Sequence, residues 1–287
     1  MKVARTRQGA RSALEAARRE GARIGLVPTM GALHAGHLSL IRAARRECDL
    51  VVVSLFVNPT QFGPQGDLSR YPRDEAGDVQ LAETEGADLL YAPSVEEVYP
   101  EGFATTVAVR GLTEVLCGAP GRRGAEHFRG VTIVVAKLFN VVQPQVAYFG
   151  QKDAQQAIVI GRMVRDLDIG VRIEVLPTVR EPSGLALSSR NRHLGSAERE
   201  RAAALHRALR AVAEAASATT DADQALESGR GVLASAGIDP EYLEARDAED
   251  LSPVHRFNGR PVLVAVAAEV GGTRLIDNFV IEPEEER

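Results

Sequence analysis

Short apolar runs alternate with amphipathic stretches over the first 178 residues of the chain. The run from Leu50 to Val57 is apolar at nearly every position, which is typical of a strand buried on both faces of a parallel sheet. The pattern predicts strands at Ile24–Val27, Leu50–Val57, Leu89–Tyr91, Thr105–Val109, Val146–Phe149 and Val171–Val175. It predicts helices at Ala10–Glu20, Gly36–Arg46, Glu75–Glu85, Val131–Val142 and Asp153–Asp166.

The pattern changes after about residue 180. Ser196 is expected to cap a long helix that ends near Ala216. Asp221, with Gln224 three residues later, resembles a capping box for a second helix that stops before Gly237. Three strands follow, and the last two flank a hairpin turn at Gly271-Gly272. They are predicted at Tyr242–Arg246, Val262–Ala268 and Thr273–Phe279.

This order predicts an α/β domain followed by a smaller α+β domain. Residues 1–178 are predicted to form a doubly wound, Rossmann-like parallel sheet that binds its ligand at the carboxyl ends of the strands. Residues 179–287 are predicted to form a smaller α+β domain with an antiparallel sheet, which we expect to act as a lid that keeps water from the site. The charged tail from Glu282 to Arg287 is expected to be frayed.

Composition narrows the class of protein. A hydrophobic content of 45% and a charged content of 25% are those of a globular protein. The formal charge of −5 gives no electrostatic case for binding nucleic acid. Two cysteines make no disulfide framework, which favours the cytoplasm. We expect neither a secretory signal nor a membrane span.

The segment Pro28–His37 is the most informative in the chain, because it places His34 and His37 at a strand-to-helix turn. The N–H groups and dipole at a helix start attract phosphate, and Gly36 lets a ligand approach the backbone. Residues His34–His37 resemble the histidine-glycine-histidine signature of nucleotidyltransferases, which implies activation of a substrate on the α-phosphate of ATP. Two alternatives stay open. The histidines could be surface or capping residues, and a zinc site would need further ligands.

Gln61 lies in a second cluster, Asn58–Gly63, which directly follows the most apolar strand. Its amide can donate and accept hydrogen bonds, so Gln61 could bind the hydroxyl and carboxylate groups of a small acid. A turn in which Asn58 and Pro59 break the strand is the alternative, although it leaves Gln61 unexplained.

Lys152 lies in a third cluster, Gly150–Asp153, at the end of another predicted strand. Only three of the 34 basic residues are lysines, and a compact cation at a strand end suits a polyphosphate. Asp153 is equally well explained as the cap of the next helix. Gln156, one turn into that helix, could face the same cleft.

Ser188, Ser189 and Arg190 form a row of donors suited to phosphate, in the segment Leu187–Asn191 at the predicted domain junction. Ordinary loop composition explains the same residues. A glycine-rich basic segment around Arg122, His127 and Arg129 is predicted to be a mobile surface loop. A role for it as a lid over substrate is the less favoured interpretation.

Seven segments of the chain, taken together and in order, carry a family resemblance. They are Pro28–His37, Phe56–Gly63, Tyr71–Arg73, His127–Val131, Lys137–Asn140, Gly150–Gln156 and Leu187–Asn191. In sequence and in order they resemble the pantothenate synthetase family. Two departures are visible: Leu187 stands where the family usually has Met, and Gly77 precedes Asp78 where an acidic pair is common. The second departure weighs against a metal role for that pair.

The resemblance implies that ATP, (R)-pantoate and β-alanine become pantothenate, AMP and pyrophosphate through a pantoyl-adenylate. It also implies Mg²⁺ and a homodimer, with His37 as the assigned proton donor. The substrate acids would be bound by Gln61, Gln156 and Asn58. ATP would be bound by Met30, Gly31, Ala32, Leu33, His34, Ala35, Gly36, His37, Gly150, Gln151, Lys152, Asp153, Val179, Leu187, Ser188, Ser189 and Arg190.

Rival functions make different predictions. Another adenylyl- or cytidylyltransferase would share the first cluster, but the Gln61 and Gly150–Gln156 segments argue against it. A regulatory nucleotide-binding module would bind ATP without forming AMP. A dinucleotide oxidoreductase is disfavoured because no Gly-x-Gly-x-x-Gly opens the first strand–helix unit.

Overall fold

A computed structural model describes residues 1–62 and 68–283 of the chain. Gly63 and the tail from residue 284 onwards therefore lie outside the described residues. The chain divides into two compact units. The first unit consists of residues 1–114, 118–150 and 159–177, and the second consists of residues 115–117, 151–158 and 178–287.

The first unit is built on a six-stranded parallel sheet in the order β1-β4-β3-β2-β5-β6. This order confirms the predicted doubly wound class. The central strand β2 pairs with β3 on one side and β5 on the other, which makes the carboxyl end of β2 the topological switch point. The strands are β1 (Lys2–Ala4), β2 (Ile24–Thr29), β3 (Leu50–Leu55), β4 (Leu89–Tyr91), β5 (Val146–Gly150) and β6 (Arg172–Leu176).

Burial explains why β3 and its neighbours form the middle of this sheet. Val51, Val52 and Val53 have no exposed surface, so both faces of the strand are covered. The helices of this region are α1 (Arg7–Arg19), α2 (Ala35–Glu47), α3 (Glu75–Thr84), α4 (Val95–Val98) and α5 (Ala125–Val142). A further helix, α6 (Ala154–Asp166), belongs to the second unit up to residue 158 and to the first unit from residue 159.

Two sequence-based predictions for this region are wrong. Thr105–Val109 forms no strand. Two of its carbonyls accept hydrogen bonds from side chains instead of from a neighbouring strand. The Thr132 hydroxyl donates to the Val107 carbonyl, and the Thr113 hydroxyl donates to the Val109 carbonyl. Helix α5 begins at Ala125 instead of Val131. His127 and Arg129 are therefore helical and do not lie in a loop.

The second unit has its own core, formed where helices cover one face of a three-stranded antiparallel sheet. The predicted long helix is interrupted at Ala203 and begins at Ser196, with Gly195 as the N-cap residue. Asp221 caps the next helix by accepting a hydrogen bond from the Gln224 N–H, as predicted. The elements are α7 (Ser196–Ala202), α8 (Ala204–Ala216), α9 (Ala222–Ser235), β7 (Pro240–Asp247), β8 (Val262–Val270) and β9 (Thr273–Ile281).

The hairpin between β8 and β9 is confirmed. Val270 pairs with Thr273 across a two-residue turn. Gly271 and Gly272 have φ values of 58° and 70°, the left-handed conformation that a type I′ turn requires at both central positions.

Candidate active site

The loop between β2 and α2 turns sharply through left-handed backbone. Gly31 has a φ of +88° and Ala32 a φ of +51°. A Cβ atom added to Gly31 would lie 2.7 Å from Cδ1 of Leu55, so position 31 requires glycine for both conformation and space. Ala32 has no such freedom and must be held in place by its surroundings.

Asp78 of α3 holds that loop. Its carboxylate accepts hydrogen bonds from the backbone N–H of Ala32 at 2.9 Å and of Leu33 at 2.7 Å. Asp78 is only 3% exposed, so both bonds form in a desolvated environment where an unmatched donor is costly. Sequence reasoning had considered Asp78 only in connection with a metal, and it missed this role.

Asp78→Asn is expected to lower the free energy of unfolding by about 1–3 kcal/mol, the cost of leaving one buried N–H without an acceptor. The asparagine amide has an oxygen at one end and an –NH₂ group at the other. Its –NH₂ group would therefore face the backbone N–H of either Ala32 or Leu33, which would lose its acceptor. The KM for ATP should rise as well. Urea denaturation and steady-state kinetics measure the two effects. Asp74→Asn is the matched control, because Asp74 caps the same helix at an exposed position and asparagine caps equally well. Equal behaviour of the two variants would contradict this role.

His34 and His37 meet at the start of α2, with ring centroids 4.1 Å apart. His34 is the N-cap residue, and its Nδ1 accepts the Gly36 N–H at 3.2 Å. Because Nδ1 is the acceptor, the proton of the neutral ring is on Nε2, which makes Nε2 a donor. The capping explanation thus holds for His34, and it makes the opposite edge of the ring a hydrogen-bond donor.

Gly36 keeps this arrangement open. A Cβ atom at Gly36 would lie 2.9 Å from Cε1 of His34, closer than packed atoms approach each other. The first turn of a 13-residue helix also presents backbone N–H groups and the positive end of its dipole. Such a helix start is suited to an anionic group such as phosphate.

Gln61 lies next to the same loop. Its Nε2 is 3.1 Å from Sδ of Met30, and its Oε1 accepts a hydrogen bond from Nδ2 of Asn58 at 3.0 Å. Asn58 is only 1% exposed, which favours a supporting role over direct contact with a ligand. The structure therefore brings Met30–His37, Asn58 and Gln61 together within the first unit.

Helix α5 supports the backbone of Gln61. Nδ1 of His127 lies 2.7 Å from the Gln61 carbonyl oxygen. A Cβ atom at Gly130 would lie 2.5 Å from the Thr60 carbonyl, so only glycine permits this close approach. His127 was predicted in a surface loop, and the structure gives it a contact with the Gln61 backbone instead.

In the second unit, Lys152 lies in the turn that precedes α6. Its side chain is 18% exposed, and Nζ is 3.7 Å from Oδ1 of Asp153. Asn278 of β9 fixes the turn, because its Nδ2 donates to the carbonyls of Gln151 and Lys152 at 2.9 and 3.0 Å. Nε2 of Gln151 donates back to Oδ1 of Asn278 at 2.9 Å. Sequence reasoning missed Asn278, because β9 mixes polar and apolar residues and its sequence does not show which of the polar ones are buried.

The neighbouring residues of α6 differ in their roles. The side chain of Gln155 is 7% exposed, and it bonds the backbone of Val115 and Cys117. Gln156 is half-buried in the first turn of the helix. Gln155 is therefore structural, while Gln156 remains the candidate for binding a ligand.

The loop that carries the predicted serines is also held by internal bonds. The Leu187 N–H donates to the Val179 carbonyl at 2.9 Å, which brings these two predicted residues together. Ser188 caps a short helical turn at residues 189–193 by accepting the Arg190 N–H at 3.3 Å. Ser189 is 9% exposed.

Within the described ranges 1–62 and 68–283, no group of three or more His, Cys, Asp or Glu side chains is arranged to hold a metal ion. None of the helices in those ranges combines the length and apolar character needed to cross a bilayer.

Comparison with known proteins gives matches over nearly the whole chain. A family model described as pantoate-beta-alanine ligase matches residues 2–280. The pantothenate synthetase of Moorella thermoacetica is 54% identical over 286 residues, which cover 98% of this chain and 99% of the relative. That of Koribacter versatilis is 50% identical over 284 residues, covering 98% of this chain and 96% of the relative.

Solved structures agree with these matches. The crystal structure of pantothenate synthetase from Thermus thermophilus superposes with a TM-score of 0.90 at 48% identity, covering 99% of this chain and 100% of that one. The Francisella tularensis pantoate-beta-alanine ligase has a TM-score of 0.79 at 35% identity, with coverage of 98% and 97%. Its structure is a complex with beta-gamma ATP and beta-alanine.

Proposed function

This chain belongs to the pantoate–β-alanine ligase family, and we propose that it condenses (R)-pantoate with β-alanine using ATP. Pantoate is first adenylated, pyrophosphate leaves, and β-alanine then displaces AMP to give pantothenate. The observation that best supports this function is the His34–His37 pair at the start of α2, in a chain that the family model matches over residues 2–280.

The first half-reaction calls for alignment more than for a strong base. The carboxylate of pantoate is ionised at neutral pH, so it can attack the α-phosphorus once the two are aligned. Negative charge then grows on the phosphoryl oxygens and on the departing pyrophosphate, and donors must stabilise it. We assign that electrostatic role to His34, His37, Lys152, Ser188, Ser189 and Arg190.

His34 would supply a hydrogen bond from Nε2, since its Nδ1 accepts the Gly36 N–H. For His37 we propose a hydrogen bond to a charged oxygen instead of proton donation, because no step of adenylation needs a proton. Its place in the first turn of α2 supports an interaction with phosphate.

The remaining binding residues follow the family pattern. Gln61 and Gln156 would contact the substrate acids, with Asn58 supporting Gln61. ATP would be bound by residues 30–37 and 150–153, by Val179 and by residues 187–190. Mg²⁺ would enter as part of the MgATP substrate, because it keeps several waters and is usually held through substrate phosphates. The carboxylate of Asp78 is already bonded to two backbone N–H groups.

The second half-reaction joins the two acids. The amine of β-alanine attacks the acyl carbon of the adenylate, a C–N bond forms, the acyl–oxygen bond breaks, and AMP leaves. The amine loses a proton to solvent or buffer. Water competes for the same acyl carbon, so the site must exclude it during this step.

The test is to supply ATP, Mg²⁺, pantoate and β-alanine and to measure AMP by chromatography. AMP and pantothenate should appear in equal amounts when all four are present. AMP formed without pantoate would instead indicate another nucleotidyltransferase. ATP binding without any AMP would indicate a regulatory module.

We also propose that the protein is a cytoplasmic homodimer. The family resemblance supports the dimer, and the two cysteines are both buried and free of a disulfide, which suits a reducing compartment. Sedimentation equilibrium over a range of protein concentrations tests the dimer. A monomeric mass throughout that range would rule it out.

A further inference from the structure

Tyr99, which directly follows α4, contributes to a hydrogen-bond network around Asn58 that sequence reasoning missed. The Tyr99 hydroxyl donates to Oδ1 of Asn58 at 2.8 Å. The hydroxyl and the N–H of Thr60 donate to the same atom at 2.9 and 3.3 Å. A backbone N–H can only donate, so this end of the Asn58 amide is the oxygen.

The opposite end of Asn58 passes this orientation on to Gln61. Nδ2 of Asn58 donates to the Gly130 carbonyl at 3.0 Å and to Oε1 of Gln61 at 3.0 Å. A carbonyl can only accept, so both ends of the Asn58 amide are assigned independently and agree. The oxygen of Gln61 therefore faces Asn58, and its –NH₂ group is at the other end of the side chain.

The –NH₂ group of Gln61 lies 3.1 Å from Sδ of Met30. A thioether is a weak acceptor, so a substrate oxygen in this place would make a stronger bond. Meanwhile the Gln61 backbone is held by His127 and by the close approach of Gly130. The residue is thus fixed in both position and polarity before any ligand binds, which lowers the entropic cost of binding.

The environment of Tyr99 keeps its hydroxyl a donor. Burial raises the pKa of the Tyr99 phenol, and the hydrogen bond with Thr60 only partly opposes this shift. The ring is held against Phe103, with centroids 5.2 Å apart. The ammonium of Lys137 lies 4.5 Å from the Phe103 centroid and 5.9 Å from that of Tyr99, within the range of cation–π attraction.

We propose that Tyr99 is a positioning residue which, through Asn58, fixes the Gln61 amide so that its –NH₂ end faces an acceptor oxygen of pantoate. This inference rests on the proposed function. It adds that the position recognises a carboxylate or hydroxyl oxygen and discriminates against a group that can only donate.

Tyr99→Phe removes the hydroxyl and keeps the ring. In pantoate-dependent exchange of pyrophosphate into ATP, we expect it to raise the KM for pantoate by about 3- to 10-fold, the value of one buried hydrogen bond. The KM for ATP and the kcat should change less than twofold. Tyr91→Phe is the matched control, because it removes another buried hydroxyl from the same unit. It should leave the KM for pantoate unchanged.

Thr60→Val provides a second route into the network, since it removes another hydroxyl donor to Asn58, and Thr60→Ser should restore it. The double variant Tyr99→Phe, Gln61→Ala measures the coupling between Tyr99 and Gln61 in their effect on the KM for pantoate. If Tyr99 acts through Gln61, the added substitution should cost nothing further. Additive effects, or an equal rise in KM for Tyr91→Phe, would overturn the proposal. Wild-type protein that forms no pantoyl-adenylate would instead refute the proposed function.

Discussion

Lys152→Ala is expected to lower the rate of pantoyl-adenylate formation by about 10²–10³-fold, the scale for losing one preorganised donor to a charged transition state. Asn278 holds the backbone of the Lys152 turn through two hydrogen bonds, so the ammonium is presented from a fixed point. The side chain is 18% exposed, which limits solvent screening of its charge. A compact cation so placed suits a polyphosphate.

Pyrophosphate exchange, which isolates the first half-reaction, measures this effect. Lys152→Arg should recover part of the rate because it keeps the charge. Lys2→Ala, at an exposed position in β1, is the control for loss of a lysine and should behave as wild type. An exchange rate close to normal in Lys152→Ala would remove Lys152 from the mechanism.

His37→Ala is expected to lower pantoate-dependent exchange by a similar factor of about 10²–10³, because it removes a donor from the start of α2. Asparagine at this position separates the two roles considered for the residue. Its amide can donate a hydrogen bond but cannot deliver a proton at neutral pH. His37→Asn should therefore retain much more activity than His37→Ala.

Steady-state and exchange rates for both variants measure the difference. His255→Ala is the control, since its side chain is 75% exposed. Equal loss in His37→Asn and His37→Ala would favour proton donation. Normal exchange in His37→Ala, with loss only of coupling to β-alanine, would move the residue to the second half-reaction.

Elements with strong local patterns were predictable from the sequence. The apolar run at Leu50–Leu55 can bury its side chains on both faces only in the middle of a sheet. The Gly271-Gly272 pair adopts the positive φ values of a tight turn, which other residues disfavour. Thr105–Val109 has the composition of a strand, yet threonine hydroxyls bond two of its carbonyls. The alternation of polar and apolar residues does not show that side chains will take the hydrogen bonds of these carbonyls.

Three of the candidate clusters drew attention because each directly follows a predicted strand, and the fourth, Leu187–Asn191, because it lies at the predicted domain junction. Their supports were not found. Asp78 reaches across more than forty positions of sequence to the loop before His34, and Asn278 reaches across more than one hundred to Lys152. No local spacing encodes such a contact, because tertiary packing alone brings the partners together. The early start of α5 was missed because polar residues around His127 interrupt its apolar stripe.

Different atoms of the His34 ring are involved in folding and in the proposed recognition of ATP: Nδ1 closes the first turn of its helix, and Nε2 is the donor proposed for the ligand. A substitution of His34 therefore has two effects. It lowers the stability of helix α2, and it lowers the affinity for ATP. Asparagine preserves the stability of the helix, since it is among the best N-cap residues. Its side chain is too short to donate a hydrogen bond to the ligand from the position of Nε2. The difference between the alanine and asparagine variants therefore gives the share of an apparent binding defect that is really a defect of the scaffold.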